Sequence, residues 1–213
     1  AVKREANMLD FDDLIGCLVA LLLKNSKVMQ HVTQKYEHVL VDEFQDTNLV
    51  QYALCRILTR STNNLFVVGD VDQAIYAFRG ALPRIMSTRL YKDYANLKTV
   101  CLSKNYRSTS HILSAADGVI SSSQSRSPLR LECVEGDGSK VTVLQCANEK
   151  HQAAGLVAHM QRLMREQPQL SLSEISVLFR YHADSRPVEE RLIDKVLLPR
   201  SAFITMWHTC SNI

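Results

Sequence analysis

The chain has 213 residues, 46% of them apolar and 22% charged, with seven glycines and five prolines, a balance that excludes a disordered or fibrous protein and leaves enough chain to bury a core. A formal net charge of +3 is too small to mark a nucleic-acid binder, and the apolar stretch at 18–23 is too short to span a membrane and ends in Lys24. Six cysteines at 17, 55, 101, 133, 146 and 210 form no CxxC pair, so they read as reduced thiols of an intracellular protein. The charge is unevenly spread. Residues 36–55 hold four acids (Glu37, Asp42, Glu43, Asp46) and no Lys or Arg, whereas residues 79–130 hold nine Lys or Arg against Asp93 and Asp117. An acidic knot before a basic stretch suits a metal–nucleotide site beside a polyanion track, and equally an unevenly charged solvated surface.

In chain order, residues 10–29 are expected to form a helix, because Leu14, Leu18, Leu21 and Leu22 recur on one side at helical spacing. Residues 38–41 read as a short buried strand that runs into Asp42 and Glu43. Residues 48–59 read as a helix, with Asp46 or Thr47 as its cap. A second buried strand over 65–68 is halted by Gly69 and Asp70, and a helix is expected after Pro83, since proline is tolerated in a first turn. Residues 97–102 are a third strand candidate and 108–120 a helix. The Ser-rich stretch 121–128 has no large apolar residue and reads as a loop or linker. Beyond it the pattern predicts a strand at 141–145, a helix at 149–165, a strand at 175–179 and a helix from about Asp184. Strands alternating with helices imply an α/β architecture with a largely parallel sheet.

Three segments carry chemistry. The first is the apolar strand ending in Asp42-Glu43-Phe44-Gln45-Asp46-Thr47. A strand tip of this kind, the Walker B arrangement, can aim its first carboxylate at Mg²⁺, an ion held through a few carboxylates, waters and phosphates. The second carboxylate can orient and deprotonate an attacking water. A bare apolar run before Asp-Glu is equally well a buried strand and an acidic loop. The second segment runs from Gly69 and Asp70 through Gln73 to Tyr76, Phe78, Arg79 and Gly80. A polar Gln at a strand end can sense a terminal phosphate, and two aromatic rings with a cation offer faces to bases and backbone; isolated aromatics would otherwise pack in a core. The third is Asn105-Tyr106-Arg107-Ser108, which taken alone is also a common helix-capping turn.

Together and in this order, the three segments resemble motifs II, III and IV of the UvrD/Rep type of DNA helicase. Residues 9–14 (Leu-Asp-Phe-Asp-Asp-Leu) and 175–186 resemble the segments that flank them, so the resemblance covers about residues 8–192. It implies P-loop NTPase (RecA-like) folding with parallel sheets: the C-terminal part of a first motor domain over 1–97, the start of a second over 98–196 with a hinge at 98–105, and a divergent tail at 197–213. It also implies ATP and Mg²⁺ as cofactors. Asp42 would hold the metal with Glu43 nearby, Glu43 would activate water, Gln73 and Arg107 would report the γ-phosphate, and Tyr106 would pack on adenine. Tyr76, Phe78 and Arg79 would touch DNA, with Phe78 standing where many members carry Trp. The implied activity is ATP-dependent 3′-to-5′ translocation along single-stranded DNA and unwinding at duplex junctions, in repair or recombination. The compartment would be the nucleus in a eukaryote and the cytoplasm in a bacterium.

The sequence also departs from that pattern. None of the glycines at 16, 69, 80, 118, 136, 138 and 155 opens a G-x-x-x-x-G-K-[ST] loop, and Gly136-Asp137-Gly138 reads as a turn. The family's motifs V and VI are missing, and after Leu192 the match fades. With its start at Ala-Val-Lys, this reads as an excerpted, truncated or alternatively spliced chain. Two other readings stand beside the motor: a non-catalytic relic or isoform that retains a DNA or partner surface, and a subunit of a helicase–nuclease.

Overall fold

A computed structural model describes residues 2–123 and 126–195. Its regular elements are helices α1 (Val2–Glu5), α2 (Phe11–Lys24) and α3 (Ser26–Thr33), strand β1 (Val39–Val41), helix α4 (Leu49–Leu58), strand β2 (Leu65–Val67), helix α5 (Leu90–Asp93), strand β3 (Lys104–Asn105), helix α6 (Ser110–Ile120), strand β4 (Glu132–Cys133) and helices α7 (Glu149–Glu166) and α8 (Arg186–Asp194). The architecture is mixed α/β with two small parallel sheets. By contact the chain divides into Ala1–Lys140 and Val141–Ile213. The expected tail at 197–213 lies outside the described residues.

The first unit begins with a helix that the sequence reading drew as one piece over 10–29 and the structure divides in two. Asn25 is the reason. Its N–H closes α2 on the Leu21 carbonyl at 2.9 Å, and its side chain accepts from Val28 N at 3.2 Å to open α3. A short polar side chain that bonds to nearby backbone favours such a break over a continuous helix. Val19, Leu22 and Ile57 are buried where α2 and α4 meet, with Val28, Met29 and Val32 of α3 packed on them.

β1 and β2 are parallel neighbours, with Val39 opposite Leu65, Leu40 opposite Phe66 and Val41 opposite Val67. A parallel pair needs a crossover, and α4 lies in it. The helix is capped by Asn48 rather than by Asp46 or Thr47. Asn48 Oδ1 accepts from Gln51 N at 2.9 Å while Gln51 Oε1 accepts from Asn48 N at 2.9 Å, a reciprocal box that the other two candidates could not form. Val41, Leu65 and Val67 pack against the cluster of Phe44, Tyr52, Ile85, Leu90 and Tyr94. The strands were expected to be buried, yet Leu40 is 70% and Phe66 60% exposed. Successive side chains point to opposite faces, and only one face of this sheet is covered among the described residues.

Past Pro83 the expected helix begins as a π-helical turn, Ile85–Arg89, before the single turn of α5. The strand expected at 97–102 is absent; Leu97 packs on the first core instead. The pairing segment is β3, which lies parallel to β4. The described part of the Ser-rich stretch 121–128 is irregular.

In the second unit α7 and α8 bury Ala153, Val157, Met160, Val188 and Leu192 against each other, with Ile175 and Phe179 packed at the side. The strands expected at 141–145 and 175–179 are irregular. Alternating burial at 175–179 fixes an extended run, but a strand also needs a ladder partner, and neither segment has one among the described residues.

Candidate functional site

The site forms at the C-terminal ends of β1 and β2. Past the last paired residues the two chains stay knitted: Val68 N donates to the Val41 carbonyl and Phe44 N to the Val68 carbonyl, both at 2.9 Å. Asp42 and Glu43 therefore leave β1 at its C-terminal tip, as expected from the sequence. The sheet has two strands among the described residues, so each has an open edge. Asp42 and Glu43 are both exposed, and Asp42 Oδ1 accepts the Glu43 N–H at 2.9 Å.

Glu43 holds a left-handed backbone, φ 48° and ψ 42°, a region that costs an L-residue about 1–2 kcal/mol. The reversal starts a 3-10 turn at Phe44–Asp46 that drives Phe44 into the core, where its ring meets Tyr52 edge-on at 6.2 Å. Gln45 follows, only 2% exposed. Its Nε2 donates to Glu43 Oε2 at 2.7 Å, and its Oε1 accepts the Asp70 N–H at 3.0 Å. Asp70 in turn accepts from Asp72 N at 3.0 Å and from Gln73 Nε2 at 2.9 Å. Glu43 and Gln73, singled out from separate segments, thus stand at the two ends of one hydrogen-bonded chain. Gly69 makes room for it: a Cβ there would lie 2.6 Å from Gln45 Oε1.

Asp46 Oδ1 is buried with no hydrogen-bond partner. Burial, and then the charge of Glu43, push its carboxyl above the usual value. Among the described residues no group of three or more His, Cys, Asp or Glu could hold a metal by itself. Mg²⁺ is commonly held by one or two carboxylates with phosphates and waters making up the rest, and the exposed Asp42 at the strand tip fits that demand.

Beyond Gln73 the chain makes a short aromatic and cationic ridge. The Tyr76 and Phe78 rings lie 6.0 Å apart, and the Arg79 guanidinium is 5.3 Å from the first and 5.6 Å from the second. Tyr76 is half-buried, whereas Phe78 is 57% exposed, which separates it from an ordinary core ring. Asp72 Oδ1 accepts from Ser127 N at 2.8 Å, a contact between residues assigned to different motor domains on the sequence reading.

The third segment sits on the other sheet of the same unit. Asn105 Oδ1 accepts from Arg107 N at 3.0 Å and Ser108 N at 2.8 Å, an Asx turn that leaves Tyr106 and Arg107 exposed. Gly136 and Gly138 have positive φ, 76° and 64°, and the turn they make covers the start of α6: Ser110 N donates to the Gly136 carbonyl at 2.9 Å and Ser110 Oγ to Asp137 at 2.7 Å. The sequence pattern marks this segment as a turn but not its role. Nor does it single out Gln45 and Asp70 as connectors. A carboxamide between two acids was the available signal for Gln45.

Residues 1–95 match the sequence model described as the UvrD/REP helicase N-terminal domain, and residues 100–201 match the UvrD-like helicase C-terminal domain. The ATP-dependent DNA helicase PcrA of Leuconostoc citreum is 39% identical over 202 residues, covering 94% of this chain and 26% of the relative. The ATP-dependent DNA helicase UvrD1 of Mycobacterium bovis is 42% identical over 197 residues, 89% of this chain and 25% of the relative. A probable DNA helicase II homolog of Rickettsia conorii is 36% identical over 193 residues, 90% of this chain and 29% of the relative. The chain spans about a quarter of the length of these relatives. Among the described residues no helix is long and apolar enough to cross a membrane. Matched in order by both domain models, and by helicases across most of its length, the chain belongs to the UvrD/Rep helicase family.

Proposed function

We propose that this chain is part of an ATP-dependent DNA helicase that moves 3′ to 5′ along single-stranded DNA and unwinds duplex junctions in repair or recombination. The observation that carries the reading is the parallel pair β1–β2, whose C-terminal tips carry Asp42 and Glu43 on one strand and lead to Gln73 from the other. Open α/β sheets bind ligands at that end of their strands. In this reading the RecA-like domains are 1–97 and 98–196, with 197–213 a divergent tail. The gap between the two matched domain models, after 95 and before 100, supports that boundary; the division by contact after Lys140 does not.

Asp42 would hold Mg²⁺, which when bound offsets phosphate charge. Glu43 then orients and deprotonates the attacking water, and Gln73 reports the terminal phosphate. Arg107 reaches the same phosphate with a forked guanidinium, and Tyr106 packs on adenine. Phe78 stacks on a base beside Tyr76, with Arg79 supplying charge. The chain alone does not hydrolyse ATP, because its sequence holds no G-x-x-x-x-G-K-[ST] cradle.

Two measurements test the assignment. Titration of the isotopically labelled chain with Mg²⁺ should shift the backbone amides of Asp42 and Glu43; unmoved amides would sink the nucleotide site. Fluorescence anisotropy should show weak, salt-sensitive and sequence-independent binding of a single-stranded oligonucleotide. Phe78→Ala should weaken that binding by about 1–3 kcal/mol, and unchanged affinity would remove Phe78 from the DNA surface.

A further inference from the structure

We propose that Gln45 is a positioning residue that fixes the Glu43 carboxylate and links it, through Asp70, to Gln73. Its chemistry suits the task better than any side chain of similar size. A carboxamide offers a donor at one end and an acceptor at the other. Here Nε2 faces a carboxylate and Oε1 faces a backbone N–H. A Glu in its place would set one carboxylate against another, and a Met would fill the space while leaving the Asp70 N–H without its acceptor.

Three further observations make this a built connection rather than a chance contact. Gln45 is 2% exposed, so water does not compete for its bonds, and a buried amide that lost either partner would carry the cost of an unsatisfied polar group. Glu43 sits in the left-handed region without being glycine, and its charge-assisted bond to Gln45, the stronger kind, helps to hold it there. Gly69 leaves open the space that Gln45 Oε1 occupies. The chain Glu43–Gln45–Asp70–Gln73 therefore turns on a buried Gln45 beside a half-buried Asp70, and a displacement of the Glu43 carboxylate is passed to the Gln73 carboxamide. The importance of that link rests on the proposed nucleotide roles of Glu43 and Gln73; the link itself does not.

The test uses the whole 213-residue chain, labelled for NMR. In the unmodified chain a scalar coupling across the hydrogen bond, from the Asp70 amide nitrogen to the Gln45 side-chain carbonyl carbon, should be measurable. Its absence overturns the proposal without any variant. Glu43→Ala should then shift the Asp70 amide and the Gln73 side-chain amide. The same change made in a Gln45→Met background should leave both where Gln45→Met alone puts them. A Gln73 response that survives in that background overturns the link, because a merely space-filling Gln45 would not gate it. Should Gln45→Met fail to fold, the coupling and the single Glu43→Ala response still decide. Failure of the nucleotide reading looks different: Mg²⁺ would leave Asp42 unmoved while the coupling persisted. A Mg²⁺ response at Asp42 without the coupling would sink the link alone.

Discussion

A methyl group on residue 69 would meet Gln45 Oε1 at 2.6 Å, Met86 Sδ at 3.0 Å and the backbone nitrogen of Phe44 at 3.1 Å. Met86 can swing aside, but Gln45 cannot withdraw without releasing the Asp70 N–H, and Phe44 N is tied to the Val68 carbonyl. Gly69→Ala should therefore destabilise the chain by about 1–3 kcal/mol, the usual cost of overpacking. Gly16 lies inside α2 with nothing within 4 Å of a Cβ, so Gly16→Ala should stabilise by about 0.5–1 kcal/mol. Urea midpoints moving in opposite directions would bear this out; an unmoved midpoint for Gly69→Ala would mean the Gln45 packing is loose. Asp46 gives a pH signature. Burial and the Glu43 charge raise its folded value above 3.8, so the folded chain holds that proton more tightly than the unfolded one. The stability this group contributes is then present at low pH and falls as pH rises from 3.8 through the raised folded value. Asp46→Asn, which never ionises, should be more stable than the unmodified chain at neutral pH and lose that advantage on acidification below 3.8. A gain independent of pH would assign the effect to packing instead.

At the scale of the element, the β1–β2 sheet has one working face. Leu40 and Phe66 are in register on the open side, whereas Leu65 packs on the Phe44 cluster. Changing Leu40 and Phe66 together to Thr should alter stability by no more than about 0.5 kcal/mol, as for surface sites. Leu65→Ala should cost about 2 kcal/mol, the low end for a buried Leu. Equal losses would show that the outer face is covered after all. The same sheet marks what the sequence made legible. An apolar run stopped by Asp42 and Glu43 was readable as a strand with its acids at the tip, because alternation and charge are local. Which of three adjacent capping residues opens α4 was not, because the choice fell to Gln51 three positions past Asn48. Residues 141–145 and 175–179 have strand-like composition, yet pairing depends on a partner that their own pattern does not specify. The connection through Gln45 was hidden for a related reason: Asp70 is 25 residues away, and only the parallel register brings it near.

For the molecule as a whole, the proposed chemistry demands a cradle for the β- and γ-phosphates, and the placement of the glycines argues that this chain has none. Gly16, Gly118 and Gly155 lie inside α2, α6 and α7. Gly136 and Gly138 make the turn over the start of α6, Gly80 ends a short turn after Phe78, and Gly69 makes way for Gln45. None of the seven precedes a Lys-Ser or Lys-Thr at the start of a helix, where backbone N–H groups converge on phosphate. Asp42, Glu43 and Gln73 can act on a terminal phosphate only if something else fixes the nucleotide. The purified chain should accordingly show no single-strand-stimulated ATP hydrolysis above that of its Glu43→Gln variant, in a phosphate-release assay run at saturating ATP and Mg²⁺. Binding to a single-stranded oligonucleotide should remain in the same preparation, because Phe78 and Arg79 do not depend on the cradle. Turnover that disappears in Glu43→Gln would mean that a phosphate site exists here without the glycine loop, and the division of labour proposed for Asp42, Glu43 and Gln73 would have to be redrawn.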